Sequence, residues 1–163
     1  MPSSLEPKLN TREPRAAARA RIVRGGKLLA IHMRDAASGG DFYVLPGGGQ
    51  RFGETLHETL RRECREELRA ELVIGELVYV REYIGKNHEF PELFAGFHAV
   101  ECVFRCELPQ DAVPASGHAP DAAQVGPVWL PVPELERHNL YPKAIRELLA
   151  RGEKLPLYFG DSN

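Results

Sequence analysis

Three acidic residues with helical spacing are the first feature of this sequence that could do chemistry. Glu63, Glu66 and Glu67 lie three and four positions apart, in a segment of good helix formers without glycine or proline. On an α-helix they share one stripe, where they repel one another and oppose the helix dipole, each at a cost of up to about 1 kcal/mol. Mg²⁺ takes oxygen ligands and is usually held by a few carboxylates, so the stripe is a candidate metal site.

The same segment is also compatible with a solvated surface helix. Arg62 could pair there with Glu58 and with Glu66, and the helix taken alone favours this interpretation. The preceding residues change the balance, because three consecutive glycines at 47–49 follow a short strand and lead towards Glu54. Glycines let a backbone turn tightly and approach an anion or a metal closely.

The spacing within residues 48–70 resembles the Nudix box, Gx5Ex7REUxEExGU, in which U is a bulky apolar residue. Seven of its nine fixed positions fit when Cys64 counts as apolar. The two departures are Arg69 in place of glycine and Ala70 in place of a large apolar residue. Both positions shape the exit from the helix rather than the chemistry. The flanking order of strands resembles the Nudix hydrolases across about residues 16–151.

The resemblance implies roles for the residues that match the box. Glu63, Glu66 and Glu67 would be metal ligands, with the backbone carbonyl of Gly47 as a further ligand. Arg62 would orient a glutamate by ion pairing. The cofactor would be Mg²⁺, with Mn²⁺ as a substitute.

Catalysis also requires a group that accepts the proton of the attacking water. The last two glutamates of the stripe are provisional candidates, and Glu54 would support the site near the helix N-terminus. Many relatives carry an acid five positions before the tryptophan of the last strand, but here that position is Gln124, before Trp129. A neutral amide cannot act as a base, so Glu101 on a predicted strand is the first substitute and Asp121 the second. An exposed strand residue is the alternative interpretation of Glu101.

Substrate contacts are expected at four positions. Gly48 and Gly49 belong to the glycine loop, and Tyr141 stands at the start of the last predicted helix, where an aromatic face suits a nucleobase. Lys86 lies in a polar segment between two predicted strands, within reach of a distal phosphate or sugar. Core packing is the alternative for Tyr141, and a solvated loop is the alternative for Lys86.

The elements that must position these residues follow from hydrophobic patterning and turn residues. Strands are predicted at 16–23, 27–32, 42–45, 72–83, 97–106 and 128–130. Helices are predicted at 54–68 and 142–151, with a helical turn at 133–138. The proline-rich segment 107–124 is predicted to be a substrate-side loop. This order predicts an α/β fold, and the resemblance implies a Nudix-type α/β/α sandwich with a mixed central β-sheet.

Composition limits the classes of partner. The 163 residues suit a single domain, predicted at 14–155 between an N-terminal tail at 1–13 and a C-terminal tail at 156–163. The formal charge of −2 provides no basic field, so we expect no sequence-specific nucleic-acid binding. Because no apolar run approaches about 20 residues, no membrane span is expected. The N-terminus lacks the apolar centre of a signal peptide, which favours a cytoplasmic protein.

The expected function is Mg²⁺-dependent hydrolysis of a diphosphate linkage in a nucleoside diphosphate linked to another moiety, X. The partner would be a small nucleotide, with a nucleoside di- or triphosphate as the default, and a homodimer is compatible with the resemblance. The alternative is a catalytically silent Nudix-fold module that binds a nucleotide such as ADP-ribose. A phosphate-binding NTPase loop is excluded, since GGGQRFGET lacks the Gly-Lys-Ser/Thr ending.

Overall fold

Strands dominate the chain. The computed structural model describes residues 13–35, 38–89, 91–117 and 123–163. The strands in these residues are β1 Arg15–Arg24, β2 Lys27–Arg34, β3 Asp41–Val44, β4 Gly47–Gly49, β5 Val73–Ile84, β6 His98–Glu107, β7 Gln124–Pro131, β8 Leu140–Tyr141 and β9 Tyr158–Asp161. The helices are α1 Leu56–Leu68, α2 Pro91–Phe94 and α3 Lys143–Ala150, and 3₁₀ turns lie at Gly85–Asn87 and Val132–Arg137.

The strands form one mixed sheet in the order β8-β3-β2-β1-β6-β5-β9, with β4 beside β1 and β7 beside β2. β1 lies at the centre of this order. It forms a hairpin with β2 across Gly25 and Gly26, and it runs parallel to β6 from Arg15 to Ile22. The mixed sheet with its helices confirms the predicted α/β fold class.

A hydrophobic core lies on each face of the sheet, as the alternation of side chains along β2 shows. Leu29 and Ile31 are buried in the core that contains α1, whereas Leu28 and Ala30 are buried in the core that contains α3. The sheet is therefore the middle layer between the two helices, and α1 is held against one face along its whole apolar side.

Helix α1 begins two residues later than predicted, because Thr55 caps it. The Thr55 hydroxyl accepts a hydrogen bond from the backbone N–H of Glu58, and the Glu58 carboxylate accepts one from the backbone N–H of Thr55. Leu60, Cys64 and Leu68 are fully buried in the core below the helix. Their four-residue spacing fixes the rotation of α1, and therefore the direction in which its glutamates point.

The C-terminal end of α1 is built in an unusual way. Arg69 adopts a left-handed conformation with φ 52°, where the Nudix box has a glycine. The segment after β6 then covers the helix end, since the backbone N–H of Ala115 donates to the Leu68 carbonyl at 3.1 Å and that of Gly117 donates to the Glu67 carbonyl at 3.2 Å. The part of the predicted substrate-side loop that the structure describes therefore caps the glutamate helix.

Arg69 provides a test of this helix end. A left-handed conformation costs a residue with a Cβ about 1 kcal/mol relative to glycine. Arg69→Gly is therefore expected to be more stable than Arg69→Ala by about 1 kcal/mol in denaturant unfolding, since both variants lack the side chain and differ only in the backbone cost. Equal stability of the two variants would contradict the left-handed conformation.

The C-terminal segment 156–163, predicted to be a tail, contains a strand. β9 pairs in parallel with the edge of β5. Strands β4 and β8 and helix α2, each of four residues or fewer, are also additions to the predicted elements, whereas the 3₁₀ turn Val132–Arg137 coincides with the predicted helical turn. Across the described residues, none of the helices has the length and apolar character needed to cross a membrane.

Candidate active site

The glycine loop forms strand β4, which lies between β1 and the glutamate side of α1. Gly47 has φ +132°, and a Cβ there would lie 2.1 Å from the Ala18 carbonyl oxygen, so only glycine fits. A Cβ on Gly48 would lie 2.5 Å from Cδ of Glu63. The backbone of β4 is therefore in direct contact with the first carboxylate of the stripe.

Arg62 connects the two ends of this site. Its guanidinium donates to both carboxylate oxygens of Glu54, at 2.6 Å and 2.9 Å, to Glu63 at 2.5 Å and to the Gly49 carbonyl at 3.1 Å. Such a bidentate contact is stronger and more directional than a single ion pair. Of the two pairs expected for a solvated helix, Arg62 contacts Glu66 at 3.6 Å, whereas Glu58 serves the helix cap instead.

The three glutamates of the stripe are held separately. Glu67 Oε2 accepts a hydrogen bond from the backbone N–H of Gly47 at 2.8 Å, and Glu63 is bound by the guanidinium just described. Glu66 is held more loosely, 3.6 Å from that guanidinium and 3.9 Å from Arg51. Among the residues that the structure describes, no three acidic, histidine or cysteine side chains converge on one metal position.

Glu54 gives the site a predictable response to acid. The bidentate hydrogen bonds from Arg62 lower the pKa of Glu54 from 4.5 to about 2. A folded-state pKa below the unfolded value means that this stabilisation is complete above pH 4.5 and is lost as the pH falls towards 2. We expect the unfolding free energy of Glu54→Gln to fall less steeply between pH 5 and 2 than that of the wild type, measured by urea denaturation. Parallel curves would contradict the assignment.

Glu101, the first substitute base predicted from the sequence, lies in a buried ion network. It is 7% exposed and accepts hydrogen bonds from Arg19 at 3.2 Å and Arg81 at 2.7 Å. Burial raises the pKa of Glu101, but the two arginines outweigh it and hold that pKa below its ordinary value. A carboxylate stabilised in its charged form accepts a proton poorly, so the geometry favours a structural role. Arg19 also donates to the Gly47 carbonyl at 2.8 Å, directly behind the glycine loop.

Two of the predicted substrate residues, Tyr141 and Lys86, lie on segments that meet. The Tyr141 hydroxyl donates to Glu89 at 2.8 Å, and Lys143 forms an ion pair with the same carboxylate. Phe42 packs edge-on against the Tyr141 ring, with centroids 6.3 Å apart. Lys86 is exposed on the 3₁₀ turn three residues before Glu89. Glu89 carries no local signal in the sequence, because its partners are more than fifty positions away.

Comparison with known proteins decides the family. The NUDIX domain matches residues 13–151 of the sequence. The chain belongs to the NUDIX family. Among solved structures it is similar to the Escherichia coli ORF135 protein, with 25% identity over 86% of this chain and 89% of that chain, and a TM-score of 0.61. It is also similar to the MutT NUDIX hydrolase from Burkholderia pseudomallei, with 24% identity over 82% of this chain and 95% of that chain, and a TM-score of 0.63.

An ADP-ribose pyrophosphatase from Streptococcus suis has a similar fold, with 15% identity over 91% of this chain and 98% of that chain and a TM-score of 0.59. No curated protein sequence matches this chain. The predicted Nudix resemblance is confirmed, and with it the expected enzyme class, a Nudix-type pyrophosphohydrolase.

The position that carries an acid in many Nudix relatives is Gln124, at the start of β7. It lies opposite Met33, whose side chain packs against the core that contains α1, so Gln124 faces the same side as the Nudix helix. Its amide nitrogen is buried and has no hydrogen-bond partner within the described residues. Asp121, the second substitute base predicted from the sequence, lies outside the described residues.

The residues of the Nudix box can be tested against the metal that this family generally uses. Glu63, Glu66 and Glu67 and the Gly47 carbonyl offer only oxygen atoms, the ligands that a hard divalent cation prefers. Gly48 leaves the space beside Glu63 free of a side chain. The three carboxylates therefore fit such an ion in chemical kind and lie along one edge of α1, whereas the Gly47 carbonyl accepts a hydrogen bond from Arg19.

Proposed function

We propose that this chain is a Mg²⁺-dependent hydrolase that cleaves a diphosphate linkage in a nucleoside diphosphate attached to a second moiety, X. One observation carries the proposal, the direct contact of the glycine strand β4 with the glutamate stripe. The Gly47 N–H binds Glu67, and Gly48 packs against Glu63, so the glycine strand contacts two of the three carboxylates of the stripe.

The chemistry of the substrate explains why these residues are needed. A diphosphate concentrates negative charge that repels an attacking water. Mg²⁺, with Mn²⁺ as a substitute, would neutralise the phosphate oxygens and lower the pKa of the attacking water when bound by the glutamates. Arg62, held by Glu54, fixes Glu63 against β4, and Glu54 acts through this arginine rather than on the substrate.

The proton acceptor in this proposal belongs to the stripe. Glu101 is held ionised between two arginines and Gln124 carries a neutral amide, so neither position offers a good base. Glu66 and Glu67 remain, and they differ in how firmly they are held. Glu67 is bound by the Gly47 N–H, whereas the Glu66 carboxylate forms ion pairs no shorter than 3.6 Å with described residues and can turn more freely towards a water.

A cation beside the glycine loop supports a phosphate-containing substrate. Arg15 packs its guanidinium on the Gly49 backbone, where a Cβ would lie 2.0 Å from Nη2. The side chain is exposed and forms no ion pair with another described residue. Within the described part of the chain, its charge is therefore available to an anionic ligand at Gly48 and Gly49. Tyr141 and the turn with Lys86 would contact the nucleoside or X.

A nucleotide panel tests the proposal. Nucleoside di- and triphosphates, ADP-ribose, nucleoside diphosphate sugars and dinucleoside polyphosphates are incubated with Mg²⁺, with Mn²⁺ and with EDTA, and the products are identified by mass spectrometry. We expect cleavage between two phosphorus atoms, with a nucleoside monophosphate among the products, and no cleavage in EDTA. Tight calorimetric binding of a panel member without turnover would overturn the proposal in favour of a binding module.

A further inference from the structure

The C-terminal strand β9 lies beyond the residues that match the NUDIX domain and is attached to the edge of β5. The backbone N–H of Val80 donates to the Leu157 carbonyl at 2.7 Å, and that of Ser162 donates to the Glu82 carbonyl at 3.0 Å. The two bonds involve the residues directly before and directly after β9. β9 therefore extends the sheet at the edge of β5 that faces away from β6.

Asp161 at the end of β9 binds the turn that follows β5. Its Oδ1 accepts hydrogen bonds from the Ile84 backbone N–H at 2.9 Å and from His88 Nε2 at 2.6 Å, and its Oδ2 accepts one from the Asn87 side-chain amide at 2.7 Å. One carboxylate thus collects three donors from residues 84–88. Two backbone hydrogen bonds also hold this turn, from the Gly85 N–H to the Phe97 carbonyl at 2.9 Å and from the His88 N–H to the Gly85 carbonyl at 3.3 Å. Asp161 adds three contacts to these two.

The turn held by Asp161 continues into the segment that meets Tyr141. The His88 ring stacks on Tyr83, with centroids 4.9 Å apart and an interplanar angle of 15°. The next residue, Glu89, binds Tyr141 and Lys143 at the start of α3. Residues 84–89 therefore span from the edge of β5 to the base of α3.

The strand register places this segment at the same end of the sheet as the glycine loop. Gly49 pairs with Ala17 on β1, Ala17 pairs with Glu101 on β6, and Glu101 pairs with Arg81 on β5. These are three inter-strand spacings of about 4.8 Å each. Two residues further along β5, Tyr83 lies opposite Ala99, which is buried.

We propose that Asp161 is a positioning residue that fixes residues 84–89 as one wall of the substrate site, so that the C-terminal strand governs substrate affinity. The proposal rests on the proposed function, because it assigns this wall to the part of the substrate beyond the diphosphate. Asp161 acts through the turn and does not touch the reacting phosphates. A second link runs from the residue after β9, since the Ser162 carbonyl accepts a hydrogen bond from Arg81, which binds Glu101.

The test compares three full-length variants on the best substrate of the panel. Asp161→Ala removes all three acceptor contacts and is expected to raise KM about tenfold with kcat within twofold, the signature of lost uniform binding. Asp161→Asn keeps one acceptor oxygen and is expected to recover part of the affinity. Tyr158→Phe, on the same strand, removes only a hydroxyl contact to Glu82 and is expected to leave both constants unchanged.

Two further measurements separate positioning from folding. Hydrogen exchange of the Ile84 amide should accelerate in Asp161→Ala, because that amide donates to Asp161. An unchanged KM in Asp161→Ala overturns the proposal. If the wild type cleaves no panel member, the proposed function is wrong, but the role of Asp161 can still be tested. The affinity of the wild type and of Asp161→Ala for ADP-ribose is then compared by calorimetric titration in EDTA. A tenfold weaker affinity in the variant supports the positioning role, and an equal affinity overturns it.

Discussion

Glu66→Gln and Glu67→Gln are each expected to lower kcat by about a thousandfold or more while the chain remains folded. Each variant loses a negative charge and a basic oxygen at the site where metal binding and proton transfer each accelerate the reaction by a large factor. A glutamine oxygen at position 67 still accepts the hydrogen bond from the Gly47 N–H. Each substitution removes one of three carboxylates that repel one another. The unfolding free energy measured in EDTA should therefore fall by no more than about 0.5 kcal/mol.

Glu58→Gln on the same helix is the matched control. It makes the same chemical change, and glutamine at this position preserves the capping box with Thr55. We expect kcat within twofold of the wild type. The measurement is Mg²⁺-dependent turnover of one panel substrate by all three variants, with circular dichroism to confirm folding. Full activity of Glu66→Gln and Glu67→Gln, or an equal loss in Glu58→Gln, would show that the stripe is not the catalytic site.

The parts of the fold that sequence analysis could predict depend on local spacing. The four-residue spacing of Leu60, Cys64 and Leu68 determines the apolar side of α1, so the position of the glutamate stripe on its edge follows without tertiary information. The glycine run at 47–49 likewise indicates close backbone approach, and the structure places Gly48 against Glu63. Family and fold class, both predicted from this segment and the strand order, are confirmed.

Contacts between distant strands could not be predicted in the same way. Glu101 lies 82 positions from Arg19 and 20 from Arg81, and the three meet only because β1, β6 and β5 are neighbours in a particular register. The sequence shows an isolated acid on a strand, which is compatible with a base, an exposed residue or a buried ion pair. A one-residue change of register would have turned Glu101 to the opposite face.

The exit of α1 and the C-terminal strand show a second limit. Arg69 departs from the box glycine, and the structure supplies the helix cap from Ala115 and Gly117, more than forty positions later. A proline-rich segment gives no periodic signal for such a role, because its contacts are made by backbone groups. β9 is equally hard to recognise, since four residues with a glycine form a strand only beside the open edge of β5.

Gly48→Ala is expected to lower kcat about a hundredfold without unfolding the protein. Its Cβ would lie 2.5 Å from Cδ of Glu63 and 2.7 Å from both carboxylate oxygens, so the carboxylate must move away. A displacement of about 1 Å in a catalytic site costs about a hundredfold in rate. Glu63 is a flexible side chain and the φ of Gly48 lies outside the left-handed region, so the unfolding free energy should change by less than about 1 kcal/mol.

Gly49→Ala separates this effect from a general disturbance of β4. The added Cβ meets the guanidinium of Arg15, the end of an exposed side chain, rather than a glutamate. Displacing that cation should raise KM, with kcat within about threefold, because Arg15 faces the proposed phosphate position and Glu63 stays in place. Steady-state kinetics should therefore show a loss of kcat in Gly48→Ala and an increase of KM in Gly49→Ala. Equal losses of kcat in both would indicate that β4 acts only as a scaffold, and full kcat in Gly48→Ala would remove Glu63 from the reaction.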